Sequence, residues 1–206
     1  MDAQSYLRYL QNEIHSVVFG TVDENGEPFT CVIDMMLADG NGLYFLTAKG
    51  KAFYARLKAH DRVSLTGFTG GDTMSSKSVT VRGRVRELGP ALLPKIFETN
   101  PYMAEIYPDE KSRAALTVFQ ICEGSGEFFD LSQKPIFRER FSFGGAQETP
   151  GGYFVGNGCI GCKLCRSVCP QKCINVSQKP AVIAQEHCLH CGRCFEICPA
   201  KAIEKR

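Results

Sequence analysis

Apolar and polar residues alternate in short runs as far as residue 143. Residues 16–22, 28–37, 43–47, 63–68, 78–87, 116–122, 126–131 and 135–143 read as strands, since period-two alternation marks a half-buried strand. Turn signals separate them. Asp23-Glu24-Asn25-Gly26 closes a hairpin, residues 38–42 make a second turn, and a Gly- and Ser-rich loop spans 69–77. Three segments carry a helical period instead. Tyr6, Leu7, Leu10 and Ile14 share one side of a helix over 3–14; residues 51–60 bury Phe53 and Leu57 and end in a basic turn; 90–100 makes a third. Six or more antiparallel strands with few helices call for a closed sheet, because closure removes exposed edges. The predicted fold class is mainly β (α+β), a β-barrel followed by a small C-terminal domain.

The pattern changes near residue 150. Nine of the eleven cysteines lie from Cys159 onward. Cys159, Cys162, Cys165 and Cys169 run into Pro170; Cys188, Cys191, Cys194 and Cys198 run into Pro199. Each copy is C-x2-C-x2-C-x3-C-P, the bacterial iron–sulfur run whose fourth cysteine serves the other copy's cluster. Three thiolates in one tight loop wrap a face of a four-iron cube. The fourth, a turn later, points the other way, and proline stops the turn. One cluster therefore falls to Cys159, Cys162, Cys165 and Cys198, the other to Cys188, Cys191, Cys194 and Cys169. Structural zinc uses paired cysteines rather than unbroken runs of four. A disulfide framework lacks an export signal. Residues 153–206 resemble a two-cluster bacterial ferredoxin, which implies two [4Fe–4S] clusters and electron transfer.

Composition sharpens the division. The 206 residues are 44% apolar and 22% charged, a globular balance. From Cys159 to the end, eight Lys and Arg face three acids in a chain of net charge +2, so the preceding residues are net negative. The cysteine module is the basic end, able to dock an acidic redox partner or to present a solvated face. The N-terminus has no apolar core behind basic residues, and no apolar run reaches membrane-spanning length. A cytoplasmic protein is expected, with no membrane or nucleic-acid partner.

The strand at 32–40, then Leu43-Tyr-Phe-Leu-Thr-Ala-Lys-Gly-Lys51, a helix and the strand at 63–65, resembles the flavin-binding split barrel of the pyridoxamine 5′-phosphate oxidase-like flavoproteins. The likeness covers residues 1–143 and implies FMN. In that family the segment after the third strand holds the flavin phosphate, which carries over to Thr47, Ala48, Lys49, Gly50 and Lys51. The residues agree: two lysines, a hydroxyl and helix-start amides can converge on one anion. The plainer reading is a lysine-bearing hairpin end. The family lays the isoalloxazine ring against positions matching Asp34, Met35 and Met36 and against 77–80, including Ser78. The methionines offer it an adaptable apolar wall or belong to the barrel core. Relatives often carry an aromatic or amide residue where this chain has Asp34 and Met35. A homodimer is implied as well, since two subunits complete each flavin site in the family.

The expected domains are 1–143, a linker at 144–152 and 153–206. Gly156-Asn-Gly-Cys-Ile-Gly161 fits a dinucleotide fingerprint by letters but contains a cluster ligand and opens no βαβ unit. Cys173 matches Ala202 in the internal repeat and reads as a small buried residue. Cys31 and Cys122 read as buried hydrophobes, His187 and His190 as exposed loop residues. No catalytic residue stands out; Tyr102, Tyr107, Arg138 and Arg140 are available as proton donors, and Arg82 is a further candidate for the flavin face. The expected function is an iron–sulfur flavoprotein oxidoreductase that moves electrons between two clusters and FMN, with a small substrate and a redox protein partner. The alternatives are a carrier without its own substrate, or a barrel filled by deazaflavin or haem.

Overall fold

The computed structural model describes residues 2–148 and 151–206; Thr149 and Pro150 of the expected linker lie outside the described residues. The chain forms two compact units. One comprises the described residues up to Gly71, with Lys77–Phe128 and Arg140–Glu148; the other comprises Asp72–Ser76, Phe129–Glu139 and the described residues after Glu148.

The first unit is built on an eight-stranded sheet. Its elements are α1 (Ala3–Tyr9), β1 (Ser16–Val22), β2 (Pro28–Asp34), β3 (Leu37–Asp39), β4 (Gly42–Ala48), α2 (Ala52–Ala59), β5 (Arg62–Thr69), β6 (Lys77–Gly89), α3 (Leu93–Thr99), α4 (Met103–Ile106), α5 (Glu110–Arg113), β7 (Leu116–Asp130) and β8 (Phe137–Phe143). The strands run in the order β2-β1-β5-β6-β7-β4-β3, and β8 pairs with β7. Alternation sorts the side chains as the sequence predicts. Val17, Phe19, Leu65, Val79 and Val81 are buried, while Val18, Thr66 and Arg82 point outward. The rings of Phe19, Phe45, Phe53 and Phe119 fill the interior, with Phe19 and Phe45 centred 4.9 Å apart and Phe45 stacked on Phe119 at 5.7 Å. A second core joins Met36, Leu37 and Tyr44 to Leu93, Ile96 and Met103.

Three departures from the pattern have local causes. The strand expected over 28–37 breaks after Asp34, where Met35 and Met36 turn away from the β1 ladder to other partners. Their amides bond His15 O and Tyr44 O, each at 2.8 Å. The strands expected at 116–122 and 126–131 are one long β7. Its glycines serve close packing rather than a turn: a Cβ on Gly126 would lie 2.3 Å from the Phe141 ring. The helix expected over 3–14 is α1 followed by a π-turn at Leu10–Ile14, closed by His15 N on Leu10 O at 2.8 Å. His15 leaves it at φ 60, a strained value for a residue with a side chain.

The second unit repeats one motif. Its elements are β9 (Tyr153–Val155), α6 (Leu164–Ser167), β10 (Ile174–Asn175), β11 (Val182–Ile183), α7 (Arg193–Glu196) and β12 (Ile203–Lys205), with β12 antiparallel to β9 and β10 to β11. The backbone repeats as the cysteines do. Gly161 and His190, Lys163 and Gly192, and Lys172 and Lys201 all hold positive φ at matched positions. Tyr153, Ile174, Ile183 and Ile203 form the small core between the cysteine runs.

Candidate redox sites

The positive-φ residues bend each C-x2-C-x2-C loop so that its thiols face inward, and the following helical turn swings the fourth cysteine away. Cys159, Cys162, Cys165 and Cys198 line one cavity, walled by Val155, Val176 and Ile203. Cys169, Cys188, Cys191 and Cys194 line another, walled by Tyr153, Ile174 and Ile183. Each cavity thus draws three cysteines from one run and the fourth from the other. Backbone amides reach the sulfurs: Ala202 N donates to Cys198 Sγ at 3.3 Å, and His190 N to Cys188 Sγ at 3.4 Å. Amides of Ala181 and Gly161 hold the Cys159 thiol below its ordinary range, whereas burial pushes Cys194 up to about 11. Four inward thiols with amide donors in an apolar wall fit a four-iron cluster at each site. The glycine-rich 156–161 stretch is the loop of the first cavity.

Five residues differ from expectation in their exposure. Cys173 is half-buried and lines the second cavity, its Sγ 3.6 Å from that of Cys169, so this cavity holds a fifth thiol where the first has Ala202. His187 and His190 are half-buried rather than exposed: His187 Nδ1 bonds Ile136 O at 2.8 Å, and His190 bonds Arg138. Cys31 and Cys122 are half-buried.

In the barrel unit, Thr47 is the last but one residue of β4 and is 3% exposed, and its Oγ1 has no hydrogen-bond partner among the described residues. Lys49, Gly50 and Lys51 follow, all exposed. Lys51 N bonds Ala48 O at 3.1 Å, and Lys51 caps α2 without a side-chain bond to the helix amides. An orphaned hydroxyl, two lysines and an uncapped helix start fit a bound phosphate. Arg56, read from sequence only as part of a basic helix end, joins them. Its Nε donates to Thr21 Oγ1 at 2.8 Å, and its guanidinium lies 4.8 Å from the Phe29 ring centre. Burial raises the Cys31 thiol, while the charges of Arg56 and Lys51 pull it back.

The expected ring positions divide. Met35 and Met36 are buried, at 0% and 4% exposure. Asp34 and Ser78 lie on one outer face, through the pairings Asp34–Ser16, Val18–Thr66 and Phe68–Ser78. Val32 and Phe68 supply exposed apolar surface there, at 67% and 65%. β2 ends the strand order, so its outer edge keeps free backbone donors and acceptors. Asp34 accepts from Ser16 Oγ at 2.6 Å and from Tyr102 OH at 2.8 Å. Burial first, and the Asp34 carboxylate second, push the Tyr102 phenol well above its ordinary range. Of the other available donors, Arg140 pairs with Glu127 at 3.4 Å and the Tyr107 carbonyl accepts from Arg113.

A mainly β split-barrel protein with a ferredoxin-like iron–sulfur domain is the class these features define. The chain belongs to the pyridoxamine 5′-phosphate oxidase family, whose model matches residues 5–122, and a 4Fe-4S dicluster domain matches residues 158–202. A pyridoxine/pyridoxamine 5′-phosphate oxidase of Shewanella oneidensis is 29% identical over 115 residues, 55% of this chain and 52% of that protein. The chain thus matches about half the length of that curated relative. Among solved structures, a NimC/NimA family protein of Clostridium acetobutylicum has a TM-score of 0.56 at 16% identity, over 68% of this chain and 90% of its own. A heme binding protein of Mycobacterium smegmatis has a TM-score of 0.52 at 14% identity, over 68% and 58%. These likenesses show the fold. No described helix is long and apolar enough to cross a membrane.

Proposed function

We propose that the protein is an iron–sulfur flavoprotein that passes electrons between two [4Fe–4S] clusters and FMN, and that the flavin reduces or oxidises a small substrate. The observation that carries the reading is one chain holding two cysteine-lined cavities and, at the α2 start, a phosphate-type site: the orphaned Thr47 hydroxyl followed by Lys49 and Lys51, with Arg56 one turn into the same helix. The ring would lie along the open edge and outer face of β2, between Asp34 and Ser78, with Val32 as apolar cover. A flavin takes electrons singly and delivers them in pairs, which suits it to one-electron clusters. The protein's part is to anchor the phosphate, supply backbone partners to the ring and hold the cluster thiolates. Tyr102, its proton held by Asp34, is the phenol nearest that face. We place the barrel at 1–143, the linker at 144–152 and the cluster module at 153–206, in a cytoplasmic homodimer.

Anaerobic purification, acid release of the cofactor, and its identification by mass and fluorescence, with iron and sulfide counted, test the proposal. One FMN and about eight irons per chain support it. Eight irons with deazaflavin, haem or no cofactor overturn the flavin assignment and leave a ferredoxin tethered to another kind of barrel.

A further inference from the structure

The two thiolate cavities are unequally open. In the second, Cys169, Cys188 and Cys194 are buried and Cys191 alone of the four is exposed. In the first, none of the four is buried, and Cys162 is exposed. The loop around Cys162 also presents apolar surface, with Ile160 at 59% exposure and Leu164 at 43%. Exposed Lys163 and Lys179 flank it. The charge is one-sided: residues 151–185 contain Lys163, Arg166, Lys172 and Lys179 and no acid. None of these four pairs with an acid among the described residues. In the other half of the repeat, Arg193 pairs with Glu196 at 3.0 Å and Arg206 with Glu204 at 3.3 Å.

The second cavity is enclosed from a different direction. Ile136 N donates to Gln171, the Ile136 carbonyl bonds His187, and Arg138 bonds His190. All three bonds come from Phe129–Glu139, the turn that joins β7 to β8. The second cavity is therefore braced by Phe129–Glu139 of its own unit, and none of these three bonds reaches the first.

We propose that the cation-flanked apolar patch of Ile160, Cys162 and Leu164, with Lys163 and Lys179, docks an acidic electron-transfer protein, and that this partner exchanges electrons with the first cluster. This rests on the reading that the clusters serve the barrel cofactor. The exchange moves one electron from the partner's reduced centre to the oxidised cluster, or back, with no bond made or broken and no proton required. An apolar centre with a single-sign charged rim fits a transient partner: opposite charge speeds encounter, and the small apolar contact lets go quickly.

The test is anaerobic stopped-flow mixing of the complete holoprotein with a photoreduced acidic flavodoxin, reading cluster bleaching and flavin bleaching separately. The expected second-order rate falls as salt rises and drops at least about tenfold in Lys163→Glu/Lys179→Glu. Arg193→Glu, beside the second cavity, should stay within about twofold of wild type. Each variant must keep its iron and sulfide and be reduced at the wild-type rate by methyl viologen radical, a small donor that needs no docking surface. Where the glutamate variant loses iron, Lys163→Gln/Lys179→Gln takes its place. A rate unchanged by either pair, or lowered as much by Arg193→Glu, overturns the docking proposal. Clusters that bleach while bound flavin does not would overturn the conduit reading and leave the docking site standing.

Discussion

The hydroxyl of Tyr102 donates to Asp34 Oδ2 at 2.8 Å, and His15 Nε2 stands 2.8 Å from the same hydroxyl. Asp34 only accepts, so the phenol proton is committed to it and the phenol oxygen is left to accept from His15. Tyr102→Phe breaks both bonds. With all three side chains partly exposed, the expected cost is about 1 kcal/mol by urea unfolding.

The same bond sets a response to alkali. A phenol held above its ordinary range keeps its proton in the fold after the unfolded chain begins to lose it near pH ~10. Stability should therefore hold below that pH and fall above it. Tyr44, pushed up to about 12 by burial and by Asp39, adds to the fall. Unfolding free energies measured between about pH 9 and pH 11 should decline less steeply in Tyr102→Phe and in Tyr44→Phe than in the unaltered protein.

Removal of the cations at the α2 start should separate two ligands that differ by a phosphate. Lys51→Ala/Arg56→Ala is expected to weaken FMN binding about 10- to 100-fold and to leave riboflavin within about twofold, because charge-assisted bonds act on the phosphate alone. Quenching of flavin fluorescence on titration into the cofactor-free protein reads both.

Thr47→Val gives an independent check on the site. Its hydroxyl is buried without a partner, so an isosteric methyl should leave the cofactor-free fold as stable or slightly more so. A hydroxyl that bonds a ligand instead shows its loss in affinity, by about 1 kcal/mol, or roughly fivefold, for FMN. Paired thermal melts and FMN titrations distinguish the two effects.

The fifth thiol of the second cavity is expected not to be a ligand. Cys173→Ala should keep the full iron complement, whereas Cys198→Ala should lose the first cluster. Iron and sulfide analysis after anaerobic purification decides both.

Strand positions and cluster residues were legible because each follows from local spacing. A cysteine run fixes its own loop, and alternation puts Val79 and Thr80 on opposite faces, although only the structure shows that Val79 is the buried one. What stayed hidden depends on residues distant in sequence. Arg56 looks like an ordinary helix-end cation until β1 and β2 bring Thr21 and Phe29 to it. Tyr102 sits in a stretch with no periodic signal and meets Asp34 only because the chain folds back across β2. Met35 and Met36 show a limit of another kind: a strand template applied to 28–37 leaves both exposure states open, and that both are buried is settled by their tertiary surroundings.

The crossing of the fourth cysteines makes each cluster a rivet through both halves of the small unit. Neither half contains all four ligands of either cube, since the fourth of each comes from the other half. A chain cut between Asn175 and Val182, outside both cysteine runs, would leave two pieces clasped by their metal. Conversely, loss of the exposed first cube releases Cys198, which is four residues from Cys194 of the shielded one. Damage by oxygen at the open cavity thereby unpins one of the two rivets while the closed cavity keeps its own four thiolates, and the two cubes should disappear from the protein one after the other.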